Sequence, residues 1–435
     1  MPDLLSLQPG VLYLGRQIDQ TVDSRSGAVS GARSDQTNVT LDGVDDNDQT
    51  NGFAFTGVLR STLDSVEEFR VTTTSANADA ARNSGAQVVL VTKSGTNELH
   101  GGLYEYNRNT AAVANDWFNK QAELSQGLPN KPGQLIRNTF GGTLGGPIKK
   151  DRLFFFVNYE GQRTAENQQQ TLTVPTASLR AGNVEYISTS GSTVTLTPTQ
   201  IAGMDPGCLV CTYGPGVDPN TLALFNQYPL PNGQVYGDGL NTASFTWSAP
   251  NPTVLETYIT KFDYLAGSHR LFARGNLQND NTSGVPQFPG VPPSYILRNN
   301  SKGIAAGDVW TVRNNVINSF HYGYIRQGVL NGGAGNGAYV DFLGLSSLYA
   351  ENRTINRYVP VHNFIDDVTW VKHDHTVQFG VNYRLIHNLA VSNATSYSSA
   401  DGNFSYMNDS GIANTGQNFD PGAFGYPPVA SCIRS

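Results

Sequence analysis

No stretch of the chain approaches the roughly 18 consecutive apolar residues that a membrane-spanning helix requires, which excludes helical integral-membrane proteins. Charge is scarce too: Asp, Glu, Lys and Arg make up 14% of the 435 residues, and the formal net charge is -7. Phosphate recognition wants clustered Lys and Arg, so nucleic acid is not an expected partner. The opening residues are not expected to act as an export leader. Met1 to Leu14 holds acidic Asp3, no basic opening segment and no uninterrupted apolar run. The segment from Leu4 reads as the middle of a domain, so an exported protein starting here is expected to be a piece of a longer chain. No Ser-His-Asp set, paired carboxylates or zinc-ligand spacing emerges, so no catalytic residues, metal or cofactor are assigned and an enzyme is not expected.

What the chain has in quantity is glycine and aromatics: 46 Gly, 20 Tyr and 20 Phe, with hydrophobic residues at 38%. This is β-rich and turn-rich composition. About nine strand-like segments recur between His100 and Asn388, with a period of two. Val377, Phe379, Val381, Tyr383 and Leu385 share one face, and Gln378, Gly380, Asn382 and Arg384 the other. Leu271, Ala273, Gly275 and Leu277 oppose Phe272, Arg274, Asn276 and Gln278 in the same way. Tyr258, Thr260, Phe262 and Tyr264 oppose Lys261 and Asp263, while Leu153, Phe155, Val157 and Tyr159 oppose Asn158 and Glu160. The connections alternate between short turns (Gly145 to Lys149, Ala266 to Ser268, Asn314 and Asn315, Lys372 to His375) and long loops (Ala111 to Gln134, Thr164 to Glu256, Asn279 to Lys302, Gly328 to Tyr358). That alternation predicts an antiparallel transmembrane β-barrel, with turns on one side and loops on the other. A soluble sheet with one face on a core gives the same period, so a soluble or cell-surface all-β module binding carbohydrate or peptide is the alternative.

Four motifs invite chemistry. Asp42, Asp45, Asp46 and Asp48 resemble a calcium loop in composition, yet the Gly and Glu of an EF-hand are missing, and a solvated turn is expected. Gly141, Gly142, Gly145 and Gly146 precede Pro147, where a phosphate-binding loop would place Lys, and predict a strand end and tight turn. His373 and His375 flank Asp374 in a predicted polar turn without further metal ligands nearby. Cys208 and Cys211 form a C-x-x-C in a Gly/Pro-rich loop, where a small surface disulfide is expected rather than a redox centre.

The blocks NVTLDGVDDND (Asn38 to Asp48), SVEEFRV (Ser65 to Val71), SGAQVVLVTKSGTNELHGGLYEYNRN (Ser84 to Asn109) and RNTFGGTLGGPIKKDRLFFFVNYEGQR (Arg137 to Arg163) resemble, in this order, the Oar-like branch of TonB-dependent outer-membrane receptors. The resemblance implies a mainly β fold: a small α/β plug domain over residues 1–97, lacking its N-terminal part, then over residues 98–435 the first part of a barrel of about 22 strands. Within the plug, Val88 to Thr92 is expected as a buried strand, and Thr62 to Glu68 as a short helix or turn before a strand at Phe69 to Thr73. The resemblance further implies an outer-membrane location, contact with membrane lipid, energy from the TonB complex, and a large ligand such as an oligosaccharide, peptide or protein, taken up or exported. Tyr228, Tyr236, Phe245 and Trp247 in the longest loop are the candidate ligand-stacking residues, or else the loop's own small core. Strand one (Leu103 to Asn107) and strand nine (Val377 to Leu385) are expected as open edges.

Overall fold

The computed structural model describes residues 8–13, 27–33, 36–50, 57–73, 85–125, 127, 129–204, 215–333, 340, 342, 344–350, 354–392 and 425–427. Two sheets dominate it. The first is small and mixed, built from β1 (Asn38–Leu41), β2 (Val44–Asp45), β3 (Val66–Thr72) and β4 (Gln87–Thr92) in the order β2-β1-β4-β3. β1 runs parallel to β4, and the other pairs are antiparallel. Asp42 and Gly43 make the reversal between β1 and β2 with φ of 51° and 79°, the left-handed pair that a tight hairpin demands and that Asp-Gly supplies. One 3-10 turn, Leu63–Ser65, precedes β3. The strand therefore starts at Val66, ahead of the expected Phe69, because the turn before it closes locally: the Thr62 N–H donates to Ser65 Oγ at 3.1 Å.

The second sheet is a long antiparallel meander. Its nine principal strands are β5 (His100–Asn109), β6 (Leu135–Lys149), β7 (Leu153–Pro175), β8 (Thr253–Ala266), β9 (His269–Gln278), β10 (Lys302–Arg313), β11 (Val316–Gly332), β12 (Ile355–Lys372) and β13 (His375–Ile386). Each pairs with its successor. Among the described residues β5 and β13 do not pair with each other, so the sheet stays open. No helix among them is long and apolar enough to cross a membrane; the strands are the elements of spanning length.

Two expectations are corrected by the sheet. Gly141, Gly142, Gly145 and Gly146 lie inside β6 rather than in a turn. The chain reverses later, at Lys150 and Asp151, with Asp151 at φ 60°. A Cβ on Gly141 would stand 2.6 Å from Tyr104 Cζ, so glycine there admits the neighbouring ring. The expected loop from Thr164 to Glu256 also contains strand: β7 continues to Pro175, and Thr242–Pro250 pairs back along it from Asn167 to Pro175. Polar β-branched residues carry this extension, as where Thr171 and Thr246 Oγ1 meet at 3.0 Å across the pair.

The two faces of the meander differ as the alternation predicts. On β8, Thr257, Ile259 and Lys261 are buried whereas Tyr258, Phe262 and Tyr264 are exposed. On β9, Arg274, Asn276 and Gln278 are buried and Leu271 and Leu277 exposed. The small mixed sheet covers the buried face. Its core of Val39, Leu41, Val44, Leu59, Val88 and Leu90 is continuous with Ala305 of β10 and Ile325 of β11.

Candidate functional site

The inner sheet meets the meander through charge. Asp42 accepts from the Thr92 N–H and Thr92 Oγ1, both at 2.8 Å. Across the interface Arg274 Nε stands 2.9 Å away and Lys261 Nζ 3.7 Å. Lys261 Nζ also donates to the Thr92 carbonyl at 2.8 Å. Asp45 pairs with Arg384 at 3.0 Å, and its N–H donates to Asn363 Oδ1 at 3.2 Å. Gln327 Nε2 donates to Asp48 Oδ2 at 2.7 Å. One pair runs the other way, with Arg60 of the inner unit on Asp280 of the meander, and Thr62 Oγ1 donates to Asn158 Oδ1 at 2.9 Å.

The acidic loop is thus not the solvated turn expected from its composition. Asp42, Asp45, Asp46 and Asp48 are 7%, 4%, 0% and 6% exposed, and their partners are inward cations and amides of distant strands. Among the described residues, Asp46 is the one of the four with no hydrogen bond or ion pair to the meander. Its Oδ1 accepts the Leu59 N–H at 3.0 Å, while Oδ2 is buried without a hydrogen bond. Burial drives its pKa up to about 8, opposed by the Leu59 bond and the Arg274 charge and reinforced by Asp45. Among the described residues no cluster of His, Cys, Asp and Glu has a metal-binding arrangement.

Apolar contacts lock into sockets made by small residues. Gly303, Ala305 and Gly307 alternate along the inward side of β10, and Gly323 faces them from β11. A Cβ on Gly303 would lie 2.5 Å from Leu59 Cδ1, and one on Gly323 would overlap the Val44 side chain. Glycine is required at both places by close approach, not by backbone conformation.

The outward face is mostly apolar, and several of its polar residues are partnered. Asp308 faces out and takes His269 Nδ1 at 2.7 Å, and outward Asp366 accepts Asn318 Nδ2 at 2.7 Å. At the long-loop end, outward Arg163 pairs with Glu256 at 2.5 Å and lies 5.7 Å from the Phe140 ring. A carboxylate in hydrocarbon is expensive unless partnered; Asp308 and Glu256 have cationic or titratable partners, and Asp366 an amide donor.

The long connections assemble into one small module. Tyr228 is 2% exposed and packs with Val174, Phe288 and Leu348, its ring centroid 5.3 Å from that of Phe288. Phe245 lies 6.3 Å from Phe288, and Trp247 Nε1 donates to the Gln287 carbonyl at 3.1 Å. Tyr236 is 53% exposed. Of the four candidate aromatics, Tyr228 and Phe245 therefore meet in one cluster, Trp247 is half-buried beside it, and Tyr236 stands apart with an open ring. Cys208 and Cys211 lie outside the described residues.

Residues 91–431 match the family model of the outer membrane beta barrel domain. The chain belongs to this family. Its place is therefore the outer membrane. It is similar to the TonB-dependent transporter Oar of Myxococcus xanthus, with 27% identity over 151 residues, which is 34% of this chain and 14% of that protein. Its fold is similar to that of the outer membrane transporter YddB from Escherichia coli, with a TM-score of 0.54 and 13% identity over 89% of this chain and 46% of that one. A variant of the ferric enterobactin receptor from Pseudomonas aeruginosa matches with a TM-score of 0.46 and 14% identity, over 88% of this chain and 46% of the receptor. The chain spans less than half the length of these relatives. These relatives are transporters and receptors rather than enzymes.

Proposed function

We propose that this outer-membrane barrel protein is a TonB-dependent transporter, with residues 1–97 as the plug and residues 98–435 as the first part of the barrel. The observation that carries the reading is an inner mixed sheet seated against the polar face of an antiparallel meander by side-chain pairs, while the opposite face is apolar. Such an interface can separate. Ion pairs and hydrogen bonds exchange for water at little net free energy, and the apolar contact beside them involves few meander side chains, chiefly Ala305 and Ile325. The TonB complex pulls on the plug from the short-turn side, and a ligand too large for a porin, an oligosaccharide, peptide or protein, enters or leaves at the long-loop side. Tyr236 offers an open ring for stacking there. Trp247 contributes its half-buried indole, and Tyr228 and Phe245 fix the module that presents both.

The test uses the whole gene expressed in cells with and without a functional TonB. Deleting residues 36–97 should leave a heat-modifiable barrel and admit vancomycin in either background. Thr62→Cys, buried against Asn158, should be labelled by a membrane-impermeant maleimide in peptone-grown cells only when TonB is functional. An assembled barrel that excludes vancomycin after the deletion would refute the plug. Labelling independent of TonB would refute the energy coupling.

A further inference from the structure

The rim that carries the four short turns is basic. Lys149, Lys150 and Arg152 flank the first turn, Arg270 stands beside the second, Arg313 at the third and Lys372 at the fourth, against Asp151 and Asp374 in the turns and Glu98 beside the first. This excess is concentrated in a chain whose net charge is -7. All six cations are exposed. No ion pair within the described residues engages any of them. Asp151, by contrast, is occupied, accepting Asn97 Nδ2 at 2.6 Å on Oδ1. Just inside the rim, indole rings face outward. Trp310 stacks on His269 with centroids 5.3 Å apart at 12°, and Lys372 Nζ lies 5.3 Å from the Trp370 ring. Trp310 and Trp370 are 40% and 37% exposed.

We propose that this rim is a binding surface for the phosphate headgroups of anionic phospholipid. Short turns of outer-membrane barrels face the periplasm, so the collar meets the inner leaflet. Ammonium and guanidinium groups supply charge-assisted hydrogen bonds to phosphate oxygens, and Trp rings sit at headgroup depth in a bilayer. Arg313 and Lys372 share the indoles' outward face, Arg313 in register with Val316 and Val316 with Trp370, and Lys372 two residues on from Trp370. A free polyanion or a cell-wall polymer bearing carboxylates would use the cations but leave the outward indoles without a role. Each Lys or Arg close to an anionic surface contributes on the order of fivefold in occupancy. The binding is therefore shared over several turns and weakens with salt.

The test uses the full-length protein in phosphatidylcholine vesicles with and without phosphatidylglycerol, extracted into detergent, with retained lipid read by native mass spectrometry. Phosphatidylglycerol should be retained in preference to phosphatidylcholine. Lys149→Gln with Lys150→Gln and Arg152→Gln should lower that retention at least about tenfold. Raised salt during extraction should do the same. The pair Arg313→Gln and Lys372→Gln, on other turns, should lower it independently, which keeps the test open should the triple variant fail to assemble. Lys120→Gln with Lys131→Gln at the long-loop end should leave it unchanged. Equal retention of the two lipids by the native protein, or undiminished phosphatidylglycerol on both rim variants, would overturn the proposal. So would a rim variant that loses binding to purified peptidoglycan while keeping its phosphatidylglycerol.

Discussion

Arg274→Met in the whole protein should strand the Asp42 carboxylate. The native pair is almost dry, with side-chain exposures of 0% and 3%. Arg274 Nε approaches Asp42 at 2.9 Å but off the line of a hydrogen bond, so the contact is chiefly coulombic. With the guanidinium gone, Asp42 keeps its two bonds from Thr92 and the weaker attraction of Lys261 at 3.7 Å. Breaking a buried pair from one side typically costs about 3–5 kcal/mol, and the surviving Lys261 places this case near the lower end, at about 3 kcal/mol. Pairing Arg274→Met with Asp42→Asn removes both charges while the Asn side chain still accepts from Thr92. The double variant should recover at least about 2 kcal/mol of the loss, since paired charges and neutral replacements differ little in net stability. The assay is urea titration of the full-length protein in detergent, with exposure of the inner unit read by trypsin cleavage at Arg70 and Lys93. A single-variant loss below about 1 kcal/mol, or a double variant no more stable than Arg274→Met, would refute the account of Asp42 as a charge held by its partners.

Ala273→Arg, on the outward face of β9, should destabilise the protein by about 2–4 kcal/mol if it lies near the membrane midplane, read by folding titration in lipid vesicles. Val381→Arg should be milder, because Val381 stands across from outward Asp366, which can pair with the new cation. Gly323→Val should drive a side chain into Val44 and cost about 1–3 kcal/mol by overpacking, with vancomycin entry reporting a dislodged inner unit. Asp46 has a folded pKa raised to about 8 against an ordinary value of 3.8, so its contribution is fully present below the ordinary value and is lost as pH rises toward 8. Urea midpoints should fall across that window, with a limiting slope of about 1.4 kcal/mol per pH unit, and Asp46→Asn should flatten the fall.

The meander was legible because its signal is local. Alternation with period two and turn residues at Ala266 to Ser268, Asn314 and Asn315, and Lys372 to His375 fix strand, face and reversal within a few residues. The inner sheet's edges follow from equally local chemistry, the Asp42-Gly43 hairpin and the Thr62 to Ser65 turn. The interface was not legible, because its partners are remote: Gln327 lies 279 residues from Asp48, and Asn363 lies 318 from Asp45. Four acids in seven residues read as solvated when nothing nearby neutralises them. A signal was nevertheless present. Lys261, Arg274 and Arg384 all fall on the inward face, and inward cations need anions, which the acidic loop alone supplies in quantity. The glycines of β6 misled for the opposite reason. Gly is a turn former locally, and the Tyr159 carbonyl on one neighbouring strand and the Tyr104 ring on the other leave no room for a Cβ at Gly141, which explains why it sits within a strand.

The division of labour at the interface bears on how the proposed plug would move. Its polar contacts are numerous, but each exchanges protein partners for water at a net of only about 0.5–1.5 kcal/mol for a neutral hydrogen bond, and near zero for many ion pairs. What resists hydration is the apolar part, where Leu59 sits against Gly303 and Val44 against Gly323. Burying two such side chains is worth about 1.5–3 kcal/mol each. Part of the resistance to withdrawal thus lies in these two sockets, while the charges around them set the orientation to which the inner sheet must return. Small residues at Gly303 and Gly323 then serve both needs: they are shallow enough to release an aliphatic side chain, and too tight to accept it in any other register.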